Sequence, residues 1–164
     1  MKILVLSDSH GKESFMYHCM DVIKPNHVIH LGDHYDDAQK LSRAYPHVRV
    51  HMVPGNCDSA RTFDAPPLVM CYDIAGVRVF MTHGHLHGVK QDIYHLLADA
   101  WEKKAKMALF GHTHEAVCYQ MEDGLWVLNP GSCKTFDGSV ALIEAEGGKI
   151  SACRILRQAD IDAM

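Results

Sequence analysis

The sequence predicts an α/β fold in which buried strands alternate with amphipathic helices, closed by a run of antiparallel strands. Two observations predict it. Over the first third, short apolar runs alternate with segments of helical periodicity, the pattern of parallel strands joined by crossovers. In the last third, apolar runs are separated by Asp-Gly and Gly-Gly pairs with no helical pattern between them, which marks antiparallel pairing.

Taken in order, "ILVLS" (3–7) predicts a buried strand, and Glu13 to Ile23 an amphipathic helix that Lys24-Pro25 ends. "HVIHL" (27–31) is a second strand, "DDAQKLSRAY" (36–45) a helix and "VRVHMV" (48–53) a third strand. "LVMCYDI" (68–74) and "VRVFMT" (77–82), joined at Ala75-Gly76, predict a hairpin. "VKQDIYHLLADAWEKKA" (89–105) has helical spacing, and "MALF" (107–110) is another buried strand. "AVCYQME", "LWVLN", "VALIEAE" and "ISACRIL" then predict a four-strand antiparallel meander. No repeat, low-complexity segment or linker interrupts the chain, so 1–164 is expected to be one domain.

Composition excludes several classes. Hydrophobic content of 48% with 22% charged residues is that of a soluble globular chain. The net charge of −4 offers no general attraction to a polyanion, and "EKKAK" (102–106) is expected to be a solvated face, so no long nucleic acid is expected as partner. No apolar run is long enough to span a membrane, and "MKILVLSDSH" is too short in its apolar part for a signal peptide, so a cytoplasmic location and no membrane partner are expected. A homo-oligomer is compatible with the composition. The six cysteines form no C-x-x-C pair and are expected to be reduced, mostly as buried small hydrophobes. Histidine is over-represented, at 13 residues, which directs attention to metal chemistry.

Polar residues fall where the strands end. Asp8 and His10 follow the first strand, Asp33 the second through Gly32, and Asn56 the third through Gly55. His83 and His85 follow "VRVFMT", and His112 and His114 follow "MALF" through Gly111. Ligands of open α/β sheets bind outside the carboxyl ends of the strands. A D-x-H or a Gly-Asp alone marks no more than a turn. Five strands delivering such groups in order are not explained by packing.

D-x-H at 8–10, "GD" at 32–33, "GNCD" at 55–58, "THGH" at 82–85 and "GHTH" at 111–114 resemble the calcineurin-like metallophosphoesterase superfamily. The compact length and "LNPGS" (128–132) resemble its small YfcE-like phosphodiesterase branch. The resemblance implies a four-layer α/β/β/α sandwich of two facing mixed sheets flanked by helices, with a dinuclear metal centre at the sheet edge. It implies a first ion held by Asp8, His10, Asp33 and His114, and a second held by Asp33, Asn56, His83 and His112, with Asp33 as the bridge. It further implies a metal-dependent phosphodiesterase that hydrolyses small-molecule phosphodiesters with a metal-bridging hydroxide. The imidazole, carboxylate and amide set suits two divalent ions, Mn²⁺ foremost, with Fe, Zn²⁺ or Ni²⁺ as alternatives; the absence of thiolate ligands argues against structural zinc. The rival class is an interaction scaffold of the same fold, resembling the retromer small subunit. Retention of every ligand position favours the enzyme.

Relatives with this motif often carry His where Cys57 stands. A thiol of ordinary pKa is neutral at pH 7 and supplies no cation, so Cys57 is expected to be neither nucleophile nor ligand. Asp58 is expected to orient a neighbouring imidazole, and His85 to contact phosphate. His34 and His87 are placed near the rim, while His18, His27, His47, His51 and His95 are expected to be structural or superficial. Asn129 and Ser132 are expected to hold a fixed loop.

Overall fold

The first strand, β1 (Lys2–Leu6), is apolar without alternation because neither of its faces meets solvent. Ile3 and Val5 enter a core between two sheets, while Leu4 and Leu6 enter a second core beneath helices. The structure is a computed structural model that describes residues 1–58, 66–134 and 137–164.

Along the chain, β1 is followed by α1 (Ser14–Ile23), β2 (His27–His30), α2 (Tyr35–Ala44) and β3 (Arg49–Met52). Then come β4 (Val69–Ile74), β5 (Val77–Thr82), α3 (Tyr94–Glu102), β6 (Met107–Leu109), β7 (Val117–Gln120) and β8 (Trp126–Asn129). The chain ends with β9 (Ser139–Glu146), β10 (Lys149–Arg157) and α4 (Gln158–Asp162). One sheet has the order β10-β9-β1-β2-β3 and the other β4-β5-β6-β8-β7. In the first, β1, β2 and β3 are parallel, and β9 adds antiparallel to β1. In the second, β5, β6 and β8 are parallel, with β4 and β7 antiparallel at the edges.

Three apolar clusters separate four layers. Ile29, Leu31, Val79, Met81, Leu109 and Ile143 meet between the sheets. Phe15, Met16, Cys19 and Leu41 of α1 and α2 cover the outer face of the first sheet, where Ile161 of α4 joins them. Leu96, Leu97 and Ala100 of α3 cover Phe80, Ala108 and Val127 on the second. The expected α/β/β/α sandwich is therefore observed. No helix among the described residues is long and apolar enough to cross a membrane.

The predicted meander is corrected. Its four strands form two hairpins, and each hairpin joins a different sheet: β7 and β8 add to β6, whereas β9 and β10 add to β1. Burial decides this. Alternate residues of β9 enter different cores, Val140 and Leu142 under the helices and Ala141 and Ile143 between the sheets. Such a strand needs a covered position beside β1, and β8, with Val127 outward and Leu128 inward, needs one beside β6. A single meander would leave one of these faces wet. The helix predicted over 89–105 is also shorter, starting at Tyr94, whose N–H donates to the Asp92 carboxylate at 2.9 Å. The short α4 escaped the periodicity, since it holds little more than one turn.

Candidate metal centre

The turns after the strands are made by side-chain-bearing residues in a conformation that suits glycine. Asp8 (φ 54°), His10 (48°), Asp33 (56°), His34 (69°), His112 (67°) and His114 (62°) all lie in the left-handed region. Strain of this kind costs of order 1–3 kcal/mol per residue and persists where the surroundings over-determine it, typically at functional sites. Glycine is needed beside them for close approach. A Cβ on Gly55 would collide with the Asp33 carboxylate, and one on Gly111 with the Ser7 hydroxyl.

One ligand atom each from Asp8, His10, Asp33 and His114 lies within 4.8 Å of the others. His114 Nε2 is 3.0 Å from Asp8 Oδ1, and His10 Nε2 is 3.7 Å from Asp33 Oδ2. The other Asp33 oxygen turns to a second group, with Oδ1 3.4 Å from His83 Nε2. His83 Nε2 in turn is 3.1 Å from Asn56 Oδ1 and 3.2 Å from His112 Nδ1. The His85 ring lies 5.5 Å from that of His83 and 6.2 Å from that of His112, on the same side. All eight site residues read from the sequence are thus brought to one place, from both sheets.

Two of the ligand-type atoms reach the cluster without a hydrogen-bond partner. Asp8 Oδ1 and His10 Nε2 are buried and make no hydrogen bond. His83 Nδ1 donates to the Leu31 carbonyl at 2.7 Å, so its Nε2 carries a lone pair in the neutral ring. Buried polar groups are normally paired. A convergence of carboxylate, imidazole and amide groups, with Asp8 Oδ1 and His10 Nε2 left unpaired, fits divalent cations.

Protonation is set for the same purpose. Burial pulls the His10 pKa down against the pull of Asp33 and Asp8, and burial with the neighbouring His83 pulls His112 down. For Asp33, burial pushes upward, but the Cys57 N–H and His83 outweigh it and hold the carboxyl below its usual range. Neutral imidazole and ionised carboxylate are the metal-competent forms.

Several residues that hold the site were not singled out from the sequence. Ser7 Oγ donates to Asp8 Oδ2 at 2.5 Å and the His112 N–H to the same oxygen at 3.1 Å, so Oδ1 is the free edge. Ser9 Oγ and the Gly11 N–H donate to Asp37 Oδ2 at 2.7 and 2.9 Å, and His30 Nε2 lies 3.2 Å from Ser9 Oγ. Complete burial takes the His30 pKa to about 4. A serine on either side of Asp8 was the available signal. Asn129 and Ser132 behave as expected. The Asn129 amide donates to Gly111 O and Thr113 Oγ, each at 2.9 Å, and Ser132 Oγ to the Asp8 carbonyl at 2.8 Å. A cavity of about 240 Å³ beside His114 is lined by Ser132, Lys134 and Arg157 among others.

Two expectations are corrected. Asp58 bonds backbone, accepting N–H groups of His34 (2.7 Å), Tyr35 (2.9 Å) and Gly55 (2.6 Å), and so ties the turn after β2 to the turn after β3. His87 leaves the rim for the core of the second sheet, with its edge on Phe80 and Nε2 3.1 Å from Asp99. Cys57 is exposed; its N–H donates to Asp33 Oδ1 at 2.9 Å, while burial of part of the thiol and the Asp33 carboxylate push its pKa up.

The calcineurin-like phosphoesterase superfamily domain matches residues 1–148. The probable metallophosphoesterase YsnB of Bacillus subtilis is 34% identical over 142 residues, 82% of this chain and 76% of that protein. Among solved structures, a conserved uncharacterized protein of phosphoesterase type from Streptococcus pneumoniae superposes with a TM-score of 0.75 at 25% identity, over 96% of this chain and 90% of that one. Vps29 of Entamoeba histolytica shares the fold, with a TM-score of 0.70 at 20% identity over 96% of this chain and 99% of that one.

Proposed function

The chain belongs to the calcineurin-like phosphoesterase superfamily, and from that premise we propose that it is a phosphodiesterase that hydrolyses small phosphodiesters at a dinuclear centre. The observation that carries the reading is Asp33, whose two oxygens face two separate groups of ligand-type atoms. Asp8, His10, Asp33 and His114 would hold one divalent ion, and Asp33, Asn56, His83 and His112 the other. Mn²⁺ heads the candidates, with Fe, Zn²⁺ and Ni²⁺ suited to the same donors. When bound, such a pair supplies Lewis acidity toward phosphoryl oxygens and lowers the pKa of water.

The chain's own residues do the positioning. Ser7 and the His112 N–H hold Asp8 by one oxygen and leave the other for a cation. Leu31 fixes the tautomer of His83, as outer partners of ligating imidazoles commonly do. His85, whose ring lies beside those of His83 and His112, would contact a phosphoryl oxygen. Lys134 and Arg157, next to His114, supply positive charge for an anionic ester in an otherwise acidic chain. That balance favours small esters over long nucleic acids, in keeping with a cytoplasmic enzyme of small metabolites.

The scaffold reading is left standing by the fold alone, which is shared with Vps29. A protein loaded with Mn²⁺ separates the two. Hydrolysis of bis(p-nitrophenyl) phosphate, faster than that of p-nitrophenyl phosphate and abolished by a chelator, is the expected result. Metal-dependent cleavage of the monoester alone would remove the diester assignment. No metal-dependent cleavage of either would favour the scaffold.

A further inference from the structure

Cys118 lies on β7 and Cys153 on β10, which are edge strands of opposite sheets. Their sulfurs meet 3.0 Å apart across the gap, about 1 Å beyond a disulfide bond of roughly 2.05 Å. Both side chains pack against the inner core and both residues are half-buried, so the pair closes one edge of the sandwich while keeping a path to solvent. Of the remaining cysteines, Cys71 is also half-buried but packs against the outer core of the second sheet, and burial pushes its thiol up. Cys19 and Cys133 are fully buried, with burial pushing the Cys19 thiol up to about 12 and Cys133 higher still. Cys57 is exposed and its thiol is also pushed up.

We propose that Cys118 and Cys153 form a dithiol modification site that reacts with low-molecular-weight disulfides and closes into a bond between the sheets. The Cys153 thiol, 3.0 Å away, holds the Cys118 thiol below its ordinary pKa, so in this proposal Cys118 is the attacking thiolate. Cys118 Sγ attacks one sulfur of the small disulfide, the old S–S bond breaks, and one small thiolate leaves. Cys153 passes its proton to that thiolate, and its sulfur attacks Cys118 Sγ, expelling the second small thiolate, which takes a proton from water. In sum, two protein thiols and one small disulfide become one protein disulfide and two small thiols, and two electrons pass to the small molecule.

The site is linked to the metal-type cluster by chain order. β7 begins three residues after His114, and β10 ends at Arg157, which lines the cavity beside His114. A bond between the two strands would join the elements that carry these residues. The proposal does not depend on the enzymatic reading.

The test uses the full chain incubated with oxidised glutathione under native conditions. Thiol titration after unfolding should fall from six to about four per chain, with the mass lower by about 2 Da and no glutathione retained. Peptide mapping should place the link at 118–153 in a monomeric species, and Tm should rise by about 5–15 °C. Cys153→Ser should instead retain glutathione on Cys118, because no second thiol resolves the mixed disulfide. Six free thiols after prolonged oxidation, a link between other cysteines or between chains, or a lowered Tm of the linked protein would each overturn the proposal. The wild-type mapping decides the matter even if the variant folds poorly.

Discussion

His83 Nε2 and Asn56 Oδ1 face each other at 3.1 Å, and in the neutral ring both carry lone pairs, because His83 Nδ1 donates its proton to the Leu31 carbonyl. Asn56 follows the first sheet and His83 the second, so the contact exists only where the two sheets face. A cation between the two atoms would turn repulsion into ligation. On the other side of Asp33, Asp8 Oδ1 and His10 Nε2, 4.0 Å apart, are buried without a hydrogen bond.

Metal removal is the first prediction. The purified protein loaded with Mn²⁺ should retain about two ions per chain after desalting, and a chelator should remove both the ions and the activity. Asp33→Asn should weaken binding by more than the roughly 10–100-fold typical of losing an outer partner, because it alters atoms that face both groups. Metal content and a binding titration check this. Two ions held at wild-type affinity by Asp33→Asn would displace Asp33 from its assigned place.

Cys57 offers no proton donor comparable to an imidazolium. Proton transfer by a positioned group is worth about 10²–10⁴-fold, so hydrolysis should fall steeply as the leaving-group pKa rises. Cys57→Ala should stay within about tenfold of wild type on aryl diesters, since an absent acid is not lost twice. A leaving-group series on both proteins, with metal content measured, provides the check. A loss of several hundredfold with metals bound would assign chemistry to the thiol.

Charge beside His114 predicts a preference among substrates. Lys134→Ala and Arg157→Ala should each raise KM about tenfold for a diester bearing an additional negative group. The effect on an uncharged leaving group should be small, and added salt should shrink the difference because both side chains are exposed. Equal effects on charged and uncharged esters would remove the two cations from substrate recognition.

At the opposite edge of the sandwich, His51 of β3 reaches Tyr72 of β4, with Nδ1 2.6 Å from the hydroxyl. Burial, then His27 and Arg49, lower the His51 pKa to about 4. The unfolded value is near 6.5, so the folded state favours the neutral ring. Its contribution is complete above about pH 6.5 and is lost as pH falls through about 4. Urea midpoints measured from pH 7 to pH 4.5 should therefore drop more in wild type than in His51→Gln. Parallel pH profiles would show that His51 is not protonated on unfolding.

Chain-local information determined most elements and the chemistry of the centre. Continuous apolar runs identified β1, β2 and β6, Ala75-Gly76 the β4–β5 turn, and polar residues just beyond strand ends the eight candidate site residues. These signals are short-range, arising from side-chain periodicity and turn conformation within a few residues. Tertiary structure decided what depends on distant partners. β8 and β9 went to different sheets because each needs cover on both faces, which no turn dipeptide encodes. Asp58 bonded backbone rather than imidazole because the turns after β2 and β3 present three N–H groups to it at once. His87 turned into the core because the left-handed glycines at 84 and 88 bend the chain back over Phe80. The Cys118–Cys153 pair, 35 positions apart, exists because edge strands of two sheets face across one gap, and that distance is set by the packing between the sheets.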